Sequence, residues 1–140
     1  MLETINVMLD EGAYEPVRSH DADAGLDLRS PVRRWIHAHS SIVIDTGIHI
    51  EIPEGYVGML KSKSGLNVKH NLTGDGVIDS GYTGSIVCKL YNHSGIQYEI
   101  HEGDKIIQLV ILPIATPKVN VVTEFQDTER GDNGFGSSGR

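Results

Sequence analysis

Short apolar runs alternate with turn residues along the chain, and this pattern predicts an all-β fold. Ile48, Ile50 and Ile52 alternate with polar positions, a period of two that places all three side chains on one face of a strand. Further strands are predicted at residues 5–9, 42–44, 85–90, 106–112 and 119–122. Glycine-containing turns separate these runs. We therefore expect a jelly-roll-like antiparallel β-barrel or sandwich.

The pattern allows one short helix and a change of character near the end of the chain. No apolar stripe with helical spacing persists for three turns, and the one helical candidate runs from Ser64, a possible N-cap, to His70. From residue 123 the chain is polar and rich in glycine. We predict a β-barrel domain at residues 1–122 and a flexible C-terminal arm at residues 123–140. A disordered tail requires neither Phe135 nor Arg130, so these residues argue against a purely disordered segment.

Composition narrows the class of protein. A length of 140 residues is that of one domain. Nineteen acidic and twelve basic residues leave a net charge of -7, which disfavours a nucleic-acid partner. The single cysteine, Cys88, excludes a disulfide framework and is expected in the core. No signal peptide or long apolar stretch is evident, so we expect a cytoplasmic protein with no membrane partner.

Candidate chemistry is concentrated in five polar, glycine-containing clusters. They lie at residues 23–30, 60–69, 74–84, 103–109 and 130–139. Together they contain the parts of a phosphate-binding site: the Ser64 hydroxyl, the charge of Lys63 and the guanidinium of Arg130. Asp27 and Asp79 are short carboxylates beside glycine-rich turns, where a hard cation and a water molecule can be held. A P-loop motif is absent from the sequence.

In this order the five clusters resemble the signature motifs of the homotrimeric dUTPase family. The matching segments are Ala24–Leu28, Ser64–Leu66, Gly76–Asp79 with Tyr82, Gly103–Ile106 with Gln108, and Arg130–Gly131 with Gly134–Ser137. The resemblance implies an enzyme that hydrolyses dUTP to dUMP and pyrophosphate with Mg²⁺. Such an enzyme keeps uracil out of DNA and supplies dUMP for dTMP synthesis.

The resemblance also implies a role for each matching residue. Asp79 is implied as the general base that activates water for attack on the α-phosphorus, although an Asx-turn is its alternative reading. Asp27 is implied to hold Mg²⁺ through water. The implied substrate-binding residues are Lys63, Ser64, Gly65, Gly76, Val77, Ile78, Tyr82, Gln108, Arg130, Phe135, Gly136, Ser137 and Ser138.

Within that set the implied contacts differ. The backbone of residues 74–78 would pair with uracil, and Tyr82 would lie under the deoxyribose unless its ring packs into the core. Ser64 and Gln108 would bind the phosphate chain, although a strand amide such as Gln108 can instead bond its neighbours. Phe135 would stack on uracil while the arm closes over the triphosphate. In the family the arm reaches a neighbouring subunit, so a homotrimer with shared sites is implied.

Departures from the family pattern leave the catalytic groups in place. Lys63 stands where arginine is usual, Asn133 replaces a glycine, and Ser138 replaces a threonine. Two alternatives stay open. One is a dCTP deaminase-like enzyme of the same fold, which requires a glutamate where this chain has Asp79. The other is a regulatory nucleotide-binding protein on the same scaffold.

Overall fold

A computed structural model describes residues 2–139 and contains ten strands and one helix in that range. The elements in chain order are β1 (Asn6–Leu9), β2 (Gly25–Arg29), β3 (Arg34–Ile36), β4 (Ser41–Asp45), β5 (Ile48–Glu51), β6 (Tyr56–Lys61), α1 (Ser64–His70), β7 (Leu72–Ile78), β8 (Val87–Asn92), β9 (Tyr98–Ile100) and β10 (Lys105–Pro113). Every strand pair is antiparallel. The all-β prediction is therefore confirmed.

One curled sheet carries most of the fold. Its six strands follow the order β2-β10-β6-β7-β8-β4, while β1 with β5 and β3 with β9 form two-stranded ribbons. β10 is the longest strand and pairs with β2 on one side and β6 on the other. Because it joins the first and second motif regions directly, β10 sets how those regions face each other.

β-Branched side chains fill the core, as the period of two predicts. Ile48, Ile50 and Ile52 are all buried, so their alternation does mark one inward face. Cys88 is buried among them, and burial raises the pKa of its thiol to about 12. Cys88 is thus a core residue with no thiolate at neutral pH, as predicted.

Three local predictions need correction. Residues 119–122 form no strand; Val119 and Val121 are exposed, because no neighbouring strand in this chain supplies backbone partners. The N-cap of α1 is Lys63, whose extended backbone (φ -80°, ψ 129°) precedes the helix, and Ser64 is the first helical residue. β1 exists where predicted, but its side chains are all exposed. The seven-residue helix α1, the one helix of residues 2–139, is too short to cross a membrane.

Replacing Ile107 tests whether the buried side chains of β10 stabilise the core. Ile107 is 0% exposed, so Ile107→Ala is expected to lower the free energy of unfolding by about 2–5 kcal/mol. Ile96 is 76% exposed, and the matched change Ile96→Ala is expected to stay within about 0.5 kcal/mol of the parent protein. Urea denaturation at fixed protein concentration measures both. Equal losses for the two variants would contradict the assigned core.

Candidate active site

Residues of the first four clusters meet in one row across the sheet. In the strand register Asp27 lies opposite Gln108, Gln108 lies opposite Lys61, and Lys61 lies opposite Asp75. The loop that follows Lys61 places Lys63 and Ser64 at this same end of β6. Backbone pairing therefore brings residues of four strands together in one row.

Asp27 is the most enclosed acid of this row, being only 4% exposed. Its Oδ1 accepts a hydrogen bond from the Lys63 ammonium. Its Oδ2 accepts a hydrogen bond from Ser19 Oγ at 3.1 Å and lies 3.3 Å from Nζ of Lys105. Both carboxylate oxygens are thus engaged by donors from three different segments.

These contacts decide the charge of Asp27. Burial is the largest influence and by itself would raise the pKa of the carboxyl. Hydrogen bonds and charge from Lys63, with hydrogen bonds from Ser19 and Lys105, together outweigh burial and hold the pKa below its usual value. Asp27 is therefore a carboxylate at neutral pH, stabilised by two cations.

The same contacts limit how a metal ion can be held. Among residues 2–139 no three His, Cys, Asp or Glu side chains are grouped as metal ligands. Lys63 and Lys105 occupy the two Asp27 oxygens, so a directly coordinated Mg²⁺ would have to displace an ammonium group. An ionised Asp27 does fit an outer-shell contact, in which waters and phosphate oxygens complete the coordination. Lys63 competes with such a contact for Oδ1.

Gln108 sits beside a glycine that its side chain requires. Nε2 of Gln108 donates to the Ser62 carbonyl at 2.9 Å. A Cβ at Gly25 would lie 2.1 Å from Oε1 of Gln108, so no other residue fits at position 25 without moving the amide. The strand amide thus bonds a neighbour in this structure, which is the alternative left open by the sequence.

The first turn of α1 adds exposed donors at the same end. Ser64 and Gly65 are exposed and follow the Lys63 side chain directly. The backbone N–H groups of a first helical turn have no partner within the helix, so they face outward as hydrogen-bond donors. Two ammonium groups, one hydroxyl and these amides make this end of the sheet complementary to phosphate oxygens.

The third motif region lies on β7 and in the loop after it. β7 pairs with β8 through Leu72–Gly74 and with β6 through Asp75–Ile78. Beyond Gly74 its outer backbone edge is not in the β8 ladder, and Gly76, Val77 and Ile78 lie on that stretch. An unpaired strand edge of this kind offers backbone donors and acceptors to a planar ligand.

The loop after β7 presents Asp79 and Tyr82 to solvent. Within the described residues the Asp79 carboxylate takes part in no hydrogen bond or ion pair, and its carbonyl accepts from the Tyr82 amide at 3.2 Å. Tyr82 is 46% exposed, which rules out core packing for its ring. Its Oη donates to the Ser85 carbonyl at 2.9 Å. A Cβ at Gly84 would lie 2.5 Å from that Oη, so Gly84 gives the ring its space.

The two halves of the predicted site do not meet within one chain. Ile78 lies opposite Gly58, near the start of β6, whereas Ser64 follows the end of β6. At about 3.3 Å per residue, roughly 17–20 Å of strand separates Asp79 from the Lys63–Ser64 end.

The arm does not complete the site in this chain either. The hydrogen bonds found for residues 123–139 all lie within that segment, among them Arg130 Nε to the Asn133 carbonyl at 2.9 Å. Phe135 is fully exposed. Gly136 has φ 81°, a conformation that favours glycine. Arg130, Phe135, Gly136, Ser137 and Ser138 border a hollow of about 830 Å³ formed by arm residues alone.

Three contributors at the Asp27 end were not singled out from the sequence. Lys105 and Ser19 contact Asp27, and Ser62 Oγ bonds both the amide and the carbonyl of Gly74, at 3.0 and 3.1 Å. Lys105 lies within the fourth cluster, but the sequence predicted no role for its side chain. Ser19 carries no local signal, because only folding places it beside Asp27.

Comparison with known proteins places these features in one family. The dUTPase family model matches residues 13–139. The deoxyuridine 5'-triphosphate nucleotidohydrolase of Arabidopsis thaliana is 42% identical over 94% of this chain and 80% of its own length. That of Paramecium bursaria Chlorella virus 1 is also 42% identical, over 94% of each chain.

A solved structure agrees with the sequence relatives. The dUTPase of Staphylococcus bacteriophage 80alpha, as a single-site variant with dUpNHpp, is 34% identical and superposes with a TM-score of 0.93 over 99% of both chains. The fold, the ordered motifs and these relatives agree, and the chain belongs to the dUTPase family.

Proposed function

We propose that this protein is a dUTP diphosphatase that hydrolyses dUTP to dUMP and pyrophosphate. The family supports the substrate class. The observation that carries the reaction is the pair of complementary ends: a cationic end around Lys63 and Lys105, and an unpaired carboxylate at Asp79 beside an open strand edge. The first end suits a triphosphate and the second suits a nucleoside with its attacking water.

Asp79 is the proposed general base. Its carboxylate accepts a proton from water as the water oxygen bonds to the α-phosphorus. The bond from that phosphorus to the bridging oxygen breaks on the opposite side, and pyrophosphate leaves. Positioning matters as much as basicity here, because the water and the leaving oxygen must lie in line.

Base and sugar selection are proposed for β7 and its loop. Backbone groups of Gly76, Val77 and Ile78 pair with the edge of uracil, and cytosine is rejected because its donor and acceptor are reversed. The Tyr82 ring lies against the deoxyribose and leaves no room for a 2′-hydroxyl. The restraint on that ring from Ser85 and Gly84 supports this role.

Phosphate binding is proposed for the opposite end. Lys63, Ser64, Gly65 and Gln108 contact the phosphate chain. Mg²⁺ carried on the triphosphate would be held by Asp27 through water, and it offsets negative charge on the leaving pyrophosphate. In this chain Lys63 must share its ammonium between Asp27 and the phosphates.

A homotrimer with shared sites is proposed because one chain cannot bring the two ends together. The roughly 17–20 Å along β6 and β7 supports this arrangement. The arm, residues 123–140, is proposed to close over the site, with Phe135 on uracil and Arg130, Gly136, Ser137 and Ser138 at the phosphates. Phe125 in the arm, and Val119 and Val121 just before it, are exposed in the single chain, which supports docking on a neighbouring copy.

The deaminase alternative lacks its acid at this position. Residues 76–84 contain Asp79 and no glutamate. Assays with dUTP and dCTP separate the two enzymes, since a diphosphatase releases dUMP and a deaminase releases ammonia. A regulatory nucleotide-binding protein would bind dUTP without turnover.

Replacing Asp79 tests the proposed base. Asp79→Asn is expected to lower turnover of dUTP by about a hundredfold or more while leaving nucleotide binding in place, because the amide cannot accept the proton of water. Pyrophosphate release measures turnover, and isothermal titration measures binding. The exposed Asp21, which lies outside the five clusters, provides the control: Asp21→Asn should retain activity. Turnover above about a tenth of the parent rate in Asp79→Asn would refute the assignment.

A double-mutant cycle tests whether Gly25 acts through Gln108. The new side chain in Gly25→Ala is expected to displace the Gln108 amide from Ser62, lowering kcat/KM and costing about 1–3 kcal/mol of stability. In a Gln108→Ala background the same change should have a smaller effect. Gly65→Ala, where the space is open, should leave stability unchanged. Additive losses in the cycle would show that Gly25 acts independently of the amide.

Mixed oligomers test the sharing of sites between chains. Asp79→Asn and the arm variant Arg130→Ala/Phe135→Ala are each expected to be nearly inactive. Oligomers refolded from equal amounts of both should recover about a quarter of the parent activity, because some sites then combine an intact Asp79 with an intact arm from another chain. Activity that stays at the level of the separate variants would mean that each chain uses its own arm.

A further inference from the structure

His49 lies outside the proposed site but contacts the loop that carries Tyr82. The side chain projects from β5, with Nδ1 2.7 Å from the carbonyl oxygen of Thr83 and Nε2 3.0 Å from Oδ1 of Asp10. Thr83 directly follows Tyr82, and Asp10 follows β1. The imidazole therefore bridges the amino-terminal segment and the sugar-recognition loop.

Both partners of the ring are acceptors, and this fixes its protonation state when both bonds form. A carbonyl and a carboxylate have no hydrogen to donate, so each ring nitrogen must carry a proton. Only the imidazolium satisfies that condition. A neutral ring keeps one of the two bonds, and the charged Asp10 is the stronger acceptor for its remaining proton. Loss of the second proton thus removes the donor from Thr83.

The charged groups around the ring favour the imidazolium. The hydrogen bond to Thr83 raises the pKa of His49, and burial lowers it. The hydrogen bond and charge of Asp10 and the charge of Asp45 raise it further. The pKa of His49 therefore lies above its usual value of 6.5. Glu51, also on β5, borders a cavity of about 260 Å³ together with His49 and Thr83. From the loop the neutral carbonyl of Thr83 contacts the ring, and the hydroxyl of Ser85 donates to Asp45.

The rest of the loop is held independently of His49. Ser85 Oγ donates to Asp45, and the Ser85 carbonyl accepts from Tyr82 Oη at 2.9 Å. Asp45 also accepts from the Gly47 amide at 3.0 Å, which anchors it to the turn before β5. Release of Thr83 therefore leaves Ser85 in place and frees the backbone between Tyr82 and Gly84.

We propose that His49 is a positioning residue for deoxyribose recognition, which as an imidazolium holds the Thr83 carbonyl and thereby orients the Tyr82 ring. This inference rests on the proposed function through the role of Tyr82 and names one further residue on which that role depends. Because protonated His49 favours the bound geometry, affinity for dUTP is full below the pKa of His49 and declines as the pH rises through it.

Replacing His49 separates positioning from chemistry. His49→Gln is expected to raise KM for dUTP about three- to tenfold near neutral pH, with kcat nearly unchanged and weaker discrimination against UTP. Measured from about pH 6 to about pH 9, KM of the parent protein should rise toward that of the variant as the imidazolium is lost. His37→Gln, at an exposed histidine, is the matched control and should follow the parent profile.

Asp10→Asn gives the opposite signature. The Asn amide can donate to Nε2 of a neutral ring, which then keeps its Nδ1 proton for Thr83. KM of this variant should stay low across the same pH range. A purely structural contact would instead predict that both Asp10→Asn and His49→Gln weaken binding equally at every pH.

The outcomes distinguish this inference from the proposed function. A KM for His49→Gln equal to that of the parent, or a ratio of the two that does not change with pH, overturns the role of His49 while dUTP hydrolysis stands. No turnover of dUTP by the parent protein would sink the proposed function. In that case a pH titration followed by NMR still tests the bridge from His49 to Thr83. The Thr83 and Tyr82 signals should shift with the same pH midpoint as the His49 imidazole. Different midpoints would overturn the role of His49.

Discussion

The register of β10 between β2 and β6 is the constraint on which the site depends. It aligns Asp27, Gln108 and Lys61 in one row, although they come from distant parts of the sequence. Because side chains alternate on a strand, a shift of one residue would turn Gln108 to the other face and separate it from Asp27. Buried Ile106, Ile107 and Leu109 of β10 oppose such a shift, since it would break their packing in the core.

The cationic end around Lys63 and Lys105 is stabilised by charge as well as by backbone pairing. Asp27 is almost fully buried, and a buried carboxylate is stable only with compensating donors. Lys63 and Lys105 provide them, and they also make this end of the sheet attractive to phosphates. The flexible ammonium of Lys63 can contact Asp27 and a phosphate in turn. The planar guanidinium of an arginine does so less readily.

Several structural features support the proposed assembly of several chains. Asp79 and the Lys63–Ser64 end of the sheet lie at opposite ends of β6 and β7, and the arm makes no hydrogen bond to the barrel among the described residues. Val119 and Phe125 expose apolar surface that a lone chain gains nothing from exposing. The error in predicting a strand at residues 119–122 has the same origin: its sequence suits a strand, but this chain offers it no partner.

Local pattern by itself determined the all-β class, the strands β1, β4, β5, β8 and β10, and the order of the motifs, because strand periodicity, turn chemistry and ordered motifs are properties of neighbouring residues. It did not identify β2, β3, β6 or β9, and it predicted a strand at residues 119–122 that the structure lacks. Tertiary structure decided which distant residues contact one another. The pairing of Lys63 with Asp27, the bond from Gln108 to Ser62 and the bridge from His49 to Thr83 all join residues more than thirty positions apart. No local signal encodes such contacts, since they follow from strand register and from the curl of the sheet.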